Sequence, residues 1–122
     1  KDCSKMMVYR LAAYRNSTGP AIPQRVIDRP PSAELRPAQK DSDSLPDYEV
    51  LDAIMAGYID GDQGRDDLIA AGHDAALVDR VLRLVDLAEY KRRQCAPGTK
   101  ISIKAFGRDR RLPITNRFRE GL

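Results

Sequence analysis

Apolar residues recur every three or four positions in two long stretches of the chain, which is the period of a helix lying against a core. In the stretch that begins near Asp47, the pattern predicts a helix that ends before Gly61 and Gly64. The run Ser44-Leu45-Pro46-Asp47 predicts its start as a capping box, with Pro46 near the first helical position. The apolar side chains that share one face of this helix are Val50, Leu51, Ile54, Met55, Tyr58 and Ile59.

The second periodic stretch predicts two helices separated by a glycine. A short helix from Arg65 to Ala71 is ended by Gly72. The longest helix then extends from Asp74, whose charge favours a helix N-terminus, to about Arg93. Its apolar positions are Leu77, Val78, Val81, Leu82, Leu84, Val85 and Ala88.

The N-terminal part contains one further helix, capped by Asp2 or Ser4 and stopped by the polar, Gly- and Pro-containing run 16–20. Three prolines within residues 22–35 forbid a long helix there, so we expect a connector with at most one turn after Pro23. Residues 36–46 are polar without an apolar period, which predicts a mobile loop of the kind that often covers a binding site.

These elements predict a mainly α chain in which about four helices pack around one core. Residues 1–35 end in the Pro-rich connector, 36–46 form the loop, 47–94 form a helical subdomain, and 95–122 form a tail. The tail lacks a long apolar period. We expect the apolar face of the helix in the first segment to pack against something outside that segment.

The charge is divided unevenly along the chain. Residues 1–90 carry 11 lysines and arginines against 16 aspartates and glutamates, whereas residues 91–122 carry 10 against 2. Such asymmetry indicates a basic segment that meets phosphate, nucleic acid or an acidic neighbour, or a tail that is simply solvated. The sequence has no run of 18 apolar residues, so we expect no membrane span.

The cysteines and the histidine exclude several classes of site. Cys3 and Cys95 match no zinc spacing or disulfide framework, which favours reduced thiols and a cytoplasmic location. His73 has no nucleophile near it in sequence, and at a helix start it is typical of a surface or capping residue. The run Asp60-Gly61-Asp62 resembles the start of a calcium loop, but the later ligand positions do not match. We therefore expect no metal site.

One alternative function is a small helix-turn-helix-like module that binds nucleic acid with the help of the basic tail. Two helices meeting at Gly72, followed by a basic cluster, fit that motif. Asp74, Asp79 and Asp86 lie on the helix that would read the DNA, where their charges would repel phosphates. Nucleic acid is therefore the weaker of the possible partners.

Three uncommon strings occur in one order along the chain: Arg29–Pro37 followed by Gln39–Asp43, then Glu89–Gln94, then Ala105–Glu120. In this order and spacing they resemble the C-terminal part of bacterial glutamine-dependent NAD+ synthetases. The resemblance implies ATP-dependent amidation of deamido-NAD+ through an acyl-adenylate, with release of AMP and pyrophosphate. It also implies that the chain is the helical C-terminal part of an α/β adenine-nucleotide-hydrolase-like domain whose parallel sheet lies outside it. Residues 1–35 would then be the end of the nucleotide-binding α/β domain.

The resemblance assigns roles to five residues. Lys5 and Ser32 match the lysine and hydroxyl residue that contact ATP. Asp41, beside Lys40, falls on the mobile loop that closes over the active site and is the candidate catalytic residue. Tyr90 and Lys91 match a pair that contacts deamido-NAD+. Ala38 stands where the family usually has glycine, which puts the path of the loop backbone in question.

The resemblance also implies the partners. ATP and Mg²⁺ are co-substrates of the whole enzyme, ammonia comes from solution or from glutamine, and the rest of the enzyme completes the site. We expect this piece alone to bind no cofactor and to have no synthetase activity. The family forms oligomers, so a third possibility is that the tail docks onto a neighbouring subunit. Its arginines would then pair with carboxylates across the interface: Arg108, Arg110, Arg111 and Arg117.

Overall fold

The computed structural model describes residues 2–116, and this part of the chain contains helices and no strand. The expectation of a mainly α chain is confirmed for these residues. A one-turn 3-10 helix, Asp41–Asp43, lies in the polar loop. The six α-helices are α1 (Lys5–Ser17), α2 (Gln24–Asp28), α3 (Tyr48–Ile59), α4 (Arg65–Ala70), α5 (Ala75–Leu87) and α6 (Glu89–Gln94).

The core lies between α3, α4 and α5, as the apolar periodicity predicted. Ile54 and Val78 are fully buried at its centre. α3 and α4 approach closely at Gly57, where a Cβ would lie only 2.7 Å from Cδ2 of Leu68. The carboxylate of Asp74 accepts a hydrogen bond from the Leu77 amide and caps α5. The buried core side chains are Ile54, Tyr58, Ile59, Leu68, Val78, Val81 and Val85.

Helix α1 lies beside this core rather than within it. Ser4 caps it by accepting from the Met7 amide, as one of the two predicted caps. Its first turn is fixed on α3, because the free amide of Met6 donates to Asp52 over 2.8 Å. Its apolar face remains largely uncovered, with Val8 46% and Leu11 50% exposed. Further packing of this face against a partner outside the segment stays a prediction.

The prediction of one long helix from Asp74 to Arg93 is wrong. The backbone leaves the helical conformation at Ala88, and α6 starts at the next residue. The break turns Glu89 and Arg92 inward, and both are buried. Arg92 then donates to the carbonyl of Val85 over 2.6 Å, which adds a second donor to that of the Ala88 amide at the end of α5.

The predicted capping box before α3 does not form. Asp47 is the N-cap residue and makes no side-chain capping bond, so Pro46 lies before the helix instead of inside it. The hydroxyl of Ser44 donates to the carbonyl of Asp41, in the 3-10 turn. The carbonyl of Ser44 accepts from Arg80 on α5. Ser44 therefore ties the loop to the helical subdomain.

The N-terminus is joined to the tail by Asp2. Its carboxylate accepts hydrogen bonds from the amides of Ile101, Ser102 and Phe106, and from the Ser102 hydroxyl. Desolvation alone would raise the pKa of Asp2, but these four bonds outweigh it and lower the pKa to about 2. One carboxylate thus orders a turn about 100 residues away in sequence.

This linkage predicts acid sensitivity of the tail. Because the folded-state pKa of Asp2 lies below the unfolded value of 3.8, its stabilisation is complete above about pH 4 and disappears as pH falls towards about 2. We expect Asp2→Asn to reduce the loss of stability between pH 6 and pH 3, measured by urea denaturation at both values. Asp47→Asn, at a carboxylate that makes no capping bond, serves as the control. An unchanged pH dependence in Asp2→Asn would contradict the assignment.

Candidate nucleotide site

A cleft of about 370 Å³ opens between α1 and the Pro-rich connector. Its walls are mostly apolar, formed by side chains such as Val8, Ala12 and Val26. Polar and charged side chains line it as well, among them Lys5 from the first turn of α1 and Ser32 from the connector. The structure thus brings together the two residues that the sequence assigned to ATP. Apolar walls with a few fixed polar groups are the usual composition of a small-molecule site.

Ser32 is held by a local turn that leaves its hydroxyl proton available. The Ser32 Oγ accepts from the Glu34 amide over 3.0 Å. Glu34 adopts a left-handed backbone with φ of 53° and its carboxylate accepts from Arg29 over 2.5 Å. Because Oγ is the acceptor in the turn, the O–H can point towards an acceptor oxygen of a ligand.

A second, wider cleft of about 590 Å³ shares Ser32 and Arg29 with the first. It continues along the loop to Arg36 and Lys40, so its rim is rich in cations. Ala38 lies in this stretch with φ of 56°, in the left-handed region that glycine adopts without strain. Ala38 therefore follows the backbone path expected of glycine, and its Cβ makes that conformation strained.

Asp41 lies where the loop returns to the connector. Its amide donates to the carbonyl of Pro31 over 2.9 Å, directly beside Ser32. Its carboxylate accepts from the hydroxyl of Tyr48 over 2.5 Å. Desolvation, reinforced by this hydrogen bond, raises the pKa of Tyr48 from its ordinary value of 10 to about 12. Lys5 lies above the same ring, with Nζ 5.5 Å from its centroid.

Tyr90 and Lys91 occupy a different part of the molecule. They lie on α6 and both are exposed, Tyr90 by 48%. The clefts described above are lined by residues between 5 and 40 and include neither of the two. Within the described residues, the structure therefore groups Lys5, Ser32 and Asp41 but places the proposed dinucleotide contacts apart from them.

Behind α6 lies a buried charge network that the sequence did not reveal. Glu89 is 1% exposed and accepts from Arg92 over 2.8 Å and from Arg93 over 2.9 Å, with Arg111 of the tail 3.5 Å away. Burial opposes ionisation of Glu89, but the hydrogen bonds from Arg93 and Arg92 outweigh it and lower its pKa. Arg92 also lies over the ring of Phe106, 4.7 Å from its centroid.

The basic tail is not simply solvated. Lys104 and Arg110 both pair with Asp62, which follows α3. Arg110 also lies 4.5 Å from the centroid of the Tyr58 ring. Together with Arg111 on Glu89, these pairs place the tail cations on acidic groups of the same chain. Arg110 and Arg111, two of the arginines considered for a contact with a neighbouring subunit, are thus engaged within this chain, while Arg117 lies outside the described residues.

The remaining features add little chemistry. No group of three His, Cys, Asp or Glu side chains within residues 2–116 could hold a metal ion. Cys3 and Cys95 are exposed and unbridged. None of the helices in that part of the chain is long and apolar enough to cross a bilayer. On α5, Asp79 is engaged by Arg65 of α4, so the helix pair about Gly72 shows acidic and paired charges rather than a free basic face.

Comparison with known proteins agrees with the geometry. The family model described as NAD synthase matches residues 1–95. The chain is similar to the glutamine-dependent NAD(+) synthetase of Acinetobacter baylyi, 59% identical over 121 residues that cover 98% of this chain and 22% of that protein. The corresponding protein of Xanthomonas campestris is 58% identical over 118 residues, covering 95% of this chain and 21% of that protein.

A solved structure gives the same result in three dimensions. The glutamine-dependent NAD+ synthetase from Acinetobacter baumannii, in complex with ADP, superimposes with a TM-score of 0.57 at 49% identity. The match covers 95% of this chain and 20% of that one. The chain therefore spans about a fifth of the length of the relatives it matches. Because the family model matches most of its residues, the chain belongs to the NAD synthase family.

Proposed function

We propose that this chain is the C-terminal part of a glutamine-dependent NAD+ synthetase and supplies nucleotide contacts to its active site. The reaction joins ammonia to the nicotinate carboxylate of deamido-NAD+, after ATP has converted that carboxylate to an acyl-adenylate with loss of pyrophosphate. The observation that supports the proposal most directly is the cleft in which Lys5 and Ser32 lie together. That the similar enzyme from Acinetobacter baumannii was solved with ADP agrees with an adenine nucleotide there.

Each part of the chain has a proposed role. In residues 1–35, Lys5 provides a point charge for ATP phosphate and Ser32 a hydroxyl donor. The loop 36–46 carries Lys40 towards phosphate and Asp41 towards the reacting groups, and its closure would exclude water from the hydrolysable acyl-adenylate.

The subdomain 47–94 presents Tyr90 and Lys91 to deamido-NAD+ from α6. In the tail, Arg111 contacts Glu89 at the start of α6.

Other parts of the site lie outside this chain. ATP-dependent adenylation uses Mg²⁺ to neutralise phosphate charge, but the described residues offer no three-ligand cluster for it. We therefore assign the ion to residues elsewhere in the enzyme. Ammonia delivered from glutamine, a homo-oligomeric state and a cytoplasmic location complete the proposal.

The proposal predicts that two lysines affect different substrates. In the full-length enzyme that carries this chain, Lys5→Ala should raise the KM for ATP about 10-fold or more, because a charge-assisted contact to phosphate is lost. Lys91→Ala should instead raise the KM for deamido-NAD+ by a similar factor. Initial rates of NAD+ formation, with one substrate varied and the other saturating, give both constants.

Lys100→Ala is the matched control, since Lys100 pairs with Asp109 at the surface and lines neither cleft. It should leave both constants within about twofold of wild type. The assignment fails if Lys5→Ala leaves the KM for ATP unchanged, or if either variant raises both constants equally.

A further inference from the structure

Tyr48 contacts both Asp41 of the loop and Lys5 of the candidate ATP site. It is the first residue of α3 and shares a helix face with Asp52, four residues later. Asp52 binds the amide of Met6 and so fixes the start of α1 against this face. That attachment places the ammonium group of Lys5 above the Tyr48 ring. Tyr9 of α1 lies on the same ammonium, 5.6 Å from its ring centroid.

The other end of Tyr48 holds the loop. Its hydroxyl donates to Asp41 over 2.5 Å, a charge-assisted bond. A tyrosine hydroxyl is protonated throughout the neutral range, so this donor is present at the pH of the reaction. The Asp41 amide is held at the same time by the Pro31 carbonyl, next to Ser32. The half-buried side chain of Tyr48 therefore contacts Asp41 with its hydroxyl and Lys5 with its ring.

We propose that Tyr48 is a positioning residue of the ATP site, which sets Asp41 through its hydroxyl and Lys5 through its ring. This inference rests on the proposed function. It adds Tyr48 as a residue that acts through Asp41 and Lys5. The two contacts use different atoms of one side chain, so substitution can separate them. Phenylalanine retains the ring under Lys5 and removes the bond to Asp41, whereas leucine removes both.

Kinetics of the full-length enzyme test this inference. Tyr48→Phe should raise the KM for ATP or lower kcat by about 10-fold, the cost of one hydrogen bond to a charged group. The KM for deamido-NAD+ should stay within about twofold. Tyr48→Leu should add a further loss of a few-fold in the KM for ATP, because the cation–π contact of Lys5 is then lost as well.

A double-mutant cycle distinguishes positioning from a structural role. If Tyr48 acts through Asp41, adding Tyr48→Phe to Asp41→Asn should cost no more than Asp41→Asn alone. Tyr58→Phe is the matched control, since its hydroxyl also faces a carboxylate, Asp86 at 3.4 Å, but within the core. It should change stability without altering the KM for ATP. Additive losses in the cycle, or equal increases in both KM values, would overturn the inference.

A second readout does not depend on activity. The loop contains a trypsin site after Lys40, directly before the tethered Asp41. In the 122-residue chain, Tyr48→Phe should speed cleavage at this site several-fold relative to wild type and to Tyr58→Phe. Unchanged cleavage overturns the tether even if the enzyme is active. An inactive wild-type enzyme with faster cleavage in Tyr48→Phe contradicts the proposed function and not the tether.

Discussion

Glu89→Ala is expected to lower the free energy of unfolding by about 3–5 kcal/mol, the loss typical of removing one partner from a buried ion pair. The loss arises at Arg92, which is buried and would keep its charge without the carboxylate that now compensates it. Arg93 and Arg111 are about half exposed and can be solvated instead, so they add little. Urea denaturation of the chain, followed by helical circular dichroism, measures the change.

Two variants make the result interpretable. Glu89→Gln retains the volume and one acceptor for Arg92, so its loss should be smaller than that of alanine. Asp66→Ala removes a carboxylate that is 94% exposed and should change stability by less than about 0.5 kcal/mol. A loss below about 1 kcal/mol in Glu89→Ala would show that the network does not hold the tail and α6 on the subdomain.

The helices of the core could be predicted because their signals are local. The apolar stripe of α3, the glycine after α4 and the carboxylate of Asp74 each act within one or two turns. Gly72 has φ of 99°, a conformation that ends α4 at little cost only because this residue is glycine. Such features can be predicted from the sequence without knowledge of the rest of the fold.

The break at Ala88 could not be predicted, because its cause lies elsewhere in the chain. Residues 74–93 read as one continuous helix, and nothing among them forbids it. The partners that favour the break include Phe106 and Arg111, which contact Arg92 and Glu89. In the same way, the tail cations looked free because Asp62 stands about 40 or more residues before Lys104 and Arg110.

The candidate site was predictable only as far as the family resemblance reached. That resemblance named Lys5 and Ser32, and the structure places them at one cleft. Tyr48 carried no signal, since an aromatic residue at the start of a helix is usually a packing residue. Its importance follows from a fold in which Asp52 fixes α1 above it and the loop returns to its hydroxyl.

The purified 122-residue chain is expected to form no NAD+ from deamido-NAD+, ATP and ammonia. Adenylation places negative charge on departing pyrophosphate, and stabilising such charge is commonly the largest contribution to catalysis. The family resemblance implies a Ser-Gly-Gly-x-Asp-Ser loop that grips pyrophosphate, and this string does not occur among these residues. The lysine and the hydroxyl that we propose as ATP contacts lie in an open cleft and do not replace that loop.

Mass spectrometry of the dinucleotide products is the measurement for this prediction, with the full-length enzyme as the positive control. A chain carrying both Lys5→Ala and Lys91→Ala, purified in parallel, gives the background, since a contaminating host synthetase would be present equally in both samples. NAD+ formation by the wild-type chain above that background would contradict the prediction. It would mean that the cleft between α1 and the connector, with α6, contains enough of the site to activate a carboxylate without the sheet that precedes it in the family.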